Sequence, residues 1–361
     1  MPNQRRAIKL GIIGCGRVAK ERHLPALQHI PDAQVVAVAD IKTDRVHWMA
    51  ERFGIERQFN DYRDLLDCAD VEAVGILTPT ASHAEIGLAS LESGKHVLIE
   101  KPLALNLEEC DQLIASASHF PYKVVVGFNL RWHRLVRRAR KIIESGSLGR
   151  IKAVRSACTH YRLGEYAPAW HRKHSLGGGV AFNEAVHHFD LWNYLLQTEV
   201  EQVFSFSRPS IYYEDETHVT SASLRNGALA TGIFTLRTSP NSEVEIYGDA
   251  GRLYLSCYRF DGLDFFSHTS YPGDITSRLK KVAQMLRGLS QAVPVLRRGG
   301  DFASTFCGLW RHFIDCITRD VPSECTVEDG KHALRVAIAA VESAASGQPV
   351  KIKEDVSRPV H

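Results

Sequence analysis

From residue 8 to about 127, short apolar runs alternate with stretches whose apolar positions follow a helical spacing. The pattern predicts strands at 9–13, 34–39, 73–77, 96–100 and 123–127, with helices between them. Such alternation is what a parallel sheet with crossover helices produces. Ser82-x-x-Glu85 and Asn106-x-x-Glu109 have the spacing of capping boxes, in which a side chain satisfies an amide that the first helical turn leaves over. This half of the chain is expected to be doubly wound α/β.

After Gly127 the grammar changes. Residues 151–159, 200–207, 218–224, 228–236, 244–247 and 253–257 are strand-like, and the middle four have no helices between them. Asn226-Gly227 joins two of these runs as a tight hairpin, and Gly248-Asp249-Ala250-Gly251 joins two others. The expectation is a second, α+β domain with a largely antiparallel open sheet, followed by helices at 306–320 and 328–346. Two domains also suit 361 residues, about twice the length at which one core is the default. The boundary is read as 1–127 and 128–361, with 258–305 an irregular insertion. No internal repeat or low-complexity region interrupts this organisation.

Composition narrows the class. With 44% apolar and 24% charged residues, the chain has the average of a globular protein, which excludes disordered, collagenous and membrane-spanning classes. The 44 Lys and Arg against 41 Asp and Glu leave +3, too little to argue for a nucleic-acid partner or a membrane surface. The eight cysteines are scattered without a Cys-x-x-Cys pair, which points to a reducing compartment and argues against zinc. Arg5-Arg6 precedes an apolar run, but Lys9 and Arg17 interrupt it and no small-residue cleavage site follows. The expectation is a cytoplasmic protein that begins directly with a strand and makes no stable membrane insertion.

The first predicted strand runs into Gly14-Cys15-Gly16-Arg17-Val18-Ala19. In this G-x-G-x-x-A pattern, missing side chains let the backbone approach a pyrophosphate held at a helix N-terminus. Asp40 ends the second strand, where a carboxylate binds the adenosine ribose hydroxyls and repels a 2′-phosphate. The pair suits a Rossmann domain taking NAD ahead of NADP, although a base at Lys42 softens the discrimination. The plain alternative is a tight strand-to-helix turn beside a solvated aspartate.

Two further blocks carry candidate chemistry. Glu100-Lys101-Pro102 ends the fourth strand and Thr78-Pro79-Thr80-Ala81-Ser82-His83 follows the third. Open α/β sheets bind ligands at the carboxyl ends of their strands, so Thr78, Pro79, His83, Glu100 and Lys101 join the cofactor set. A lysine there can polarise a substrate oxygen as it becomes an alkoxide. Gly177-Gly178-Gly179, which reads equally as a flexible loop, leads into a helix starting near Phe182. That start puts Asn183 and His187 at i and i+4 on one face. Histidine titrates near neutrality and suits a general base for an alcohol proton. His188 points elsewhere and reads as structural. A metal site at His187-His188-x-Asp190 is disfavoured, because adjacent helical residues diverge, so no metal is assigned.

These blocks, in this order, resemble the Gfo/Idh/MocA family of oxidoreductases across essentially the whole chain. Its Glu-Lys-Pro motif falls on Glu100-Lys101-Pro102, and its helical Asp-x-x-x-His motif falls on Asn183 and His187. The resemblance implies a nicotinamide-dependent dehydrogenase acting on a secondary alcohol of a sugar, cyclitol or related polyol. In it His187 takes the hydroxyl proton and Lys101 polarises the oxygen. It also implies a cis peptide before Pro102 and a homo-oligomer, dimer or tetramer, formed through the open sheet. Asn183 departs from the family aspartate: an amide cannot raise imidazole basicity by charge, but it can orient a hydroxyl. Two other readings fit the same body: a non-catalytic NAD-binding sensor, and an NAD-retaining glycoside hydrolase that works by transient oxidation. Retention of Lys101 and His187 together speaks against the sensor.

Basic and aromatic residues crowd the approach to these motifs: Arg131 in one segment, then Tyr161, Arg162, Trp170, His171 and Arg172. Such a set can hold a carboxylate or phosphate while rings stack on a sugar, which favours an anionic substrate such as a nucleotide sugar. Substrate binding is therefore assigned to Lys101, Arg131, Tyr161, Trp170, Arg172, Asn183 and His187. Between 276 and 298, Leu279, Val282, Leu286, Leu289, Val293 and Leu296 form an apolar stripe flanked by Arg and Lys. It is ranked as a packed insertion first, an active-site cover second and a membrane contact third.

Overall fold

The structure is a computed structural model that describes residues 6–162, 164–269, 275, 279, 282–283 and 300–353. Among these, residues up to Arg134 together with 300 to Lys331 form one compact unit, and Leu135 to 283 with His332 onward form the second. No helix of the described residues is long and apolar enough to cross a membrane. The basic amphipathic stretch lies outside the described residues except for Leu279, Val282 and Ala283, all exposed.

In the first unit β1 (Ile8–Ile13), β2 (Ala33–Ala39), β3 (Arg57–Phe59), β4 (Ala73–Ile76), β5 (His96–Ile99) and β6 (Val124–Val126) pair in the order β3-β2-β1-β4-β5-β6, all parallel. The order reverses between β1 and β4, the switch point at which doubly wound sheets bind ligands. β4 is buried along its whole length, as a parallel strand covered on both faces must be. Asn106 caps the helix Leu107–His119 by accepting from the Glu109 amide at 2.9 Å, as expected. Ser82 does not cap. It lies in the 3-10 turn Thr80–Ser82 and its hydroxyl donates back to the Pro79 carbonyl, while Glu85 takes Tyr62 and Arg63 as partners.

The second unit is a mixed sheet, mostly antiparallel. Its strands are β7 (Ile151–Tyr161), β8 (Val200–Arg208), β9 (Thr217–Leu224), β10 (Leu229–Thr235), β11 (Arg237–Gly248), β12 (Gly251–Ser256), β13 (Leu263–Ser267) and β14 (Val350–Lys351). They run in the order β13-β12-β11-β7-β10-β9-β8-β14, and β7 with β10 is the parallel pair. Asn226-Gly227 makes the β9–β10 hairpin, with Gly227 at φ +83° and the Asn226 side chain accepting from the Ala228 amide. One face of the sheet is covered by the helix Val186–Leu196, whose Trp192 donates to Ser156 on β7 and whose Phe189 meets Phe234 on β10 edge-on.

Three elements escaped the sequence pattern. β3 and β14 are edge strands of three and two residues, too short to show alternation. β13 lies next to a segment without clear period. The helix Asp301–Arg319, which the pattern alone grouped with the second domain, packs in the first unit. An amphipathic period shows that a helix has a face to bury, not what it is buried against.

That helix inserts Trp310, fully buried, over Gly75 of β4, where a Cβ would come within 2.8 Å of the indole. Trp310→Ala should therefore cost about 3–5 kcal/mol in urea unfolding. Trp48→Ala, at a ring 39% exposed, should cost less than about 1 kcal/mol.

Candidate active site

The site in the first unit begins where β1 ends. Gly14 has φ +98°, and a Cβ on it would fall 2.7 Å from the Leu77 carbonyl carbon and 2.8 Å from the Thr78 amide nitrogen. Only glycine lets the turns leaving β1 and β4 touch at the switch point. A Cβ at Gly16 would have no heavy atom within 4 Å, so open space lies beside the backbone just before the helical turn Ala19–His23. Such open backbone ahead of a helical turn is compatible with a pyrophosphate. Asp40 closes the turn: one carboxylate oxygen accepts from the Cys15 amide at 2.8 Å and the other from the Lys42 amide at 2.9 Å. Burial, then the Asp40 charge, pushes the Cys15 thiol up to about 12, so it stays protonated. Arg17 is exposed and pairs with Glu21 at 3.2 Å, and Val18 is half-buried.

The turns after β4 and β5 are bolted together. His83 Nδ1 lies 2.8 Å from the Pro102 carbonyl and Nε2 lies 2.9 Å from the Thr78 carbonyl. Burial lowers the His83 pKa despite these contacts. Pro79 is exposed beside them, and the Ser82 hydroxyl donates to Thr78 Oγ1. The Lys101–Pro102 peptide is cis. Glu100 is buried, accepting from His23 at 2.9 Å and from the Lys101 amide at 3.1 Å. Burial alone would raise the Glu100 pKa, but the His23 hydrogen bond and the neighbouring Lys101 charge hold it below the ordinary range. The sequence reading put His83 and Glu100 on the cofactor; their polar atoms instead hold the turns on which Thr78 and Lys101 stand.

Arg131 requires a correction. Its side chain is only 4% exposed and its guanidinium donates to Asp329 and to the Glu324 carbonyl, so it is a buried structural cation and not a substrate ligand. Charge near a motif in sequence says nothing about which way a long side chain turns.

In the second unit the glycine run is packed, not flexible. A Cβ at Gly178 would lie 2.3 Å from the Trp170 carbonyl oxygen, and one at Gly179 2.8 Å from the His174 ring. The segment Ala169–Arg172 is thereby pressed onto the start of the following helix. That helix opens as a π turn, Ala181–Ala185, before the α-helix Val186–Leu196, so simple α spacing does not hold between Asn183 and His187. π turns of this kind recur at functional sites. Asn183 is buried and its amide donates to the Gly179 carbonyl at 2.9 Å and more weakly to the His171 carbonyl. Among residues 181–190, His187 alone is not buried.

Trp170 stacks on His171 with ring centroids 4.0 Å apart, and Arg172 donates to the carbonyls of Ala167 and Glu165, tying its own loop. Tyr161 is exposed at the end of β7 with Arg237 over its ring. His188 is structural, as expected: it is buried, its ring meets Phe234, and its Nε2 lies 3.5 Å from the Ser242 hydroxyl.

Sequence reasoning missed Asp215. Its buried carboxylate accepts from the Ala181 amide at 3.0 Å and from the Ser207 hydroxyl at 2.7 Å, fixing the start of the helix that carries His187. It comes from the loop after β8, and no local motif marks it. It missed His23 as well, whose partner Trp310 lies far along the chain.

Residues 8–128 match the description of an oxidoreductase family with an NAD-binding Rossmann fold, Gfo/Idh/MocA, and residues 140–352 match that family's C-terminal α/β domain. The chain belongs to the Gfo/Idh/MocA family. It is an NAD-binding oxidoreductase. It is 27% identical over 357 residues to a myo-inositol 2-dehydrogenase of Thermotoga maritima, covering 96% of this chain and 99% of that one. It is 28% identical over 259 residues to a dTDP-3,4-didehydro-2,6-dideoxy-alpha-D-glucose 3-reductase of Actinomadura kijaniata, covering 71% and 76%. The WlbA dehydrogenase of Bordetella pertussis, solved with NADH and UDP-GlcNAcA, shares the fold at a TM-score of 0.81, with 24% identity over 98% of this chain and all of that one.

The Gly14–Gly16 cradle and Asp40 suit the NAD of this Gfo/Idh/MocA fold. Asp40→Ala should weaken NADH binding about 10- to 100-fold, read by fluorescence titration, through loss of charged hydrogen bonds to the ribose. It should also narrow the gap between NADH and NADPH. A separate expectation concerns pH. Burial lowers the His188 pKa to about 4, so the unfolded chain takes up a proton first as pH falls below its ordinary value near 6.5. Stability is then full above about pH 6.5 and declines by up to about 3 kcal/mol toward pH 4, and His188→Gln should flatten that part of the denaturant profile.

Proposed function

We propose that the protein transfers hydride between NAD and a secondary alcohol of a sugar, cyclitol or nucleotide sugar, with an anionic substrate favoured. The observation that carries this reading is the position of His187, the one residue of 181–190 not buried, on a helix whose start is pinned by Asp215 and Asn183. An imidazole so held can take the hydroxyl proton as the general base. Lys101 polarises the same oxygen, its charge stabilising the alkoxide as it forms. NAD, when bound, supplies the hydride acceptor.

Gly14, Gly16, Val18, Asp40, Thr78 and Pro79 hold the cofactor, with Arg17 exposed at the rim of the turn. Asn183 acts as a positioning residue, because its amide closes the π turn that precedes His187. Trp170 and Tyr161 offer rings to a sugar, and Arg172 contributes positive charge from its loop. The inositol and dTDP-hexose enzymes among the relatives support the substrate class. A homo-oligomer, dimer or tetramer, is part of the same reading, supported by the exposed Phe206, Leu229, Ile233 and Phe265 on the open sheet.

The test follows nicotinamide reduction by absorbance with NAD and a panel of free sugars, cyclitols, uronates and nucleotide sugars. Turnover should be greatest with a uronate or nucleotide sugar. Lys101→Ala and His187→Ala should each lower kcat about 10²- to 10⁴-fold while leaving NADH binding within a few fold. Full activity in either variant would overturn the assigned roles. Measurable NAD binding with no turnover across the panel would overturn the dehydrogenase reading.

A further inference from the structure

The hydride chemistry leaves one cluster unused. Cys158 and His160 stand two positions apart on β7, so both side chains leave the same face of the strand. Glu184 reaches them from the π turn Ala181–Ala185. His160 Nε2 lies 3.7 Å from Cys158 Sγ and 3.0 Å from Glu184 Oε2, and all three donor atoms lie within 4.8 Å of one another. Arg162, next along the same face, donates to the other Glu184 oxygen at 2.5 Å. Cys158 and Glu184 are buried, whereas the His160 side chain is 22% exposed, so the cluster opens on one side.

The geometry argues against a thiol–imidazole–carboxylate relay. A relay needs the carboxylate on one ring nitrogen and the thiol on the other. Here both approach Nε2, and a single proton on that nitrogen can serve only one of them. A cation between the three would serve all. Zinc bonds of about 2.0–2.3 Å at tetrahedral angles put ligand atoms about 3.3–3.6 Å apart. The 3.0 and 3.7 Å separations at His160 bracket that spacing, and the Cys158–Glu184 pair lies within 4.8 Å.

We propose that Cys158, His160 and Glu184 form a three-ligand site for a divalent cation of the zinc class, with a fourth position for water on the His160 side. Thiolate, imidazole and carboxylate together are the donor set that zinc accepts, and three protein ligands with one open position are its usual catalytic arrangement. Binding replaces the Cys158 thiol proton with the metal: one S–H bond is lost, one metal–sulfur bond forms, and one proton is released to solvent. Arg162 stays on Glu184 Oε1 and orients the carboxylate from outside the ligand set. The site shares no residue with the hydride chemistry proposed above, so either can fail without the other.

The experiment uses the full chain, purified without a metal-affinity step, stripped with chelator and dialysed against zinc. About one zinc per chain should be retained by elemental analysis, and about one proton should be released per zinc. Cobalt(II) added to the stripped protein should give the intense near-ultraviolet band of thiolate ligation. Cys158→Ser and His160→Gln should each lower affinity at least about tenfold and remove or shift the band. Cys68→Ser, at a half-buried thiol in the first unit, should leave both readings unchanged. Circular dichroism checks that each variant folds, and where Cys158→Ser does not, His160→Gln decides. Absence of stoichiometric zinc in the wild type, or a cobalt band that survives in a folded Cys158→Ser or His160→Gln variant, would overturn the site.

Discussion

The first unit depends on a buried chain of hydrogen bonds from Trp310 through His23 to Glu100. The indole N–H donates to His23 Nδ1 at 3.1 Å, which leaves Nε2 to donate to Glu100 at 2.9 Å and so fixes the tautomer of a neutral ring. Glu100 in turn receives the Lys101 amide. Three elements distant in sequence meet in this chain: the late helix Asp301–Arg319, the helical turn behind the glycine cradle, and the end of β5. Space for the carboxylate exists because residue 127 is glycine, whose Cβ would stand 3.0 Å from Glu100 Oε1. A buried carboxylate without such partners would be costly. With them it is an anchor that aims the backbone of Lys101.

The same economy governs the second unit, where Asp215 does for the His187 helix what Glu100 does for the Lys101 turn. A carboxylate at the start of a helix meets both an amide without an intrahelical partner and the positive end of the backbone dipole. Burial alone would raise the Asp215 pKa, but the neighbouring His174 and His218 rings, and then the Ser207 hydroxyl, hold the carboxyl well below the usual carboxylate range. Packed glycines then hold the Trp170–His171 segment against the first turn of that helix. Each unit thus builds the backbone around its candidate residue, Lys101 or His187, on a support of buried polar contacts with defined directions.

Much of this was legible in the sequence because it is local. The alternation of apolar runs gave the two sheets, Asn226-Gly227 the hairpin, Asn106-x-x-Glu109 the cap, and Gly14-Cys15-Gly16 the tight turn that Asp40 receives. What escaped depends on encounters far along the chain. His23 meets Trp310 and Arg131 meets Asp329, and nothing near any of them in sequence announces it. Arg131 shows the cost of reading charge by proximity to a motif: the long side chain turned inward to the half-buried Asp329. Ser82 failed as a cap because a 3-10 turn had already consumed the position, a competition between local hydrogen bonds that spacing alone does not reveal.

The parallel pairing of β7 with β10 has a consequence for the making of the protein. β7 lies at the centre of its sheet, between β10 and β11, yet it precedes both in the chain, and the β8–β9 pair comes between. As the chain leaves the ribosome, β7 emerges with both edges bare, while β8 with β9, and β9 with β10, can close as hairpins from neighbouring sequence. Contacts of such long sequence separation form late, and an open strand edge is a template for pairing with another chain. Its Lys152 and Arg155 put positive charge on that strand, and like charges disfavour the pairing of two such edges.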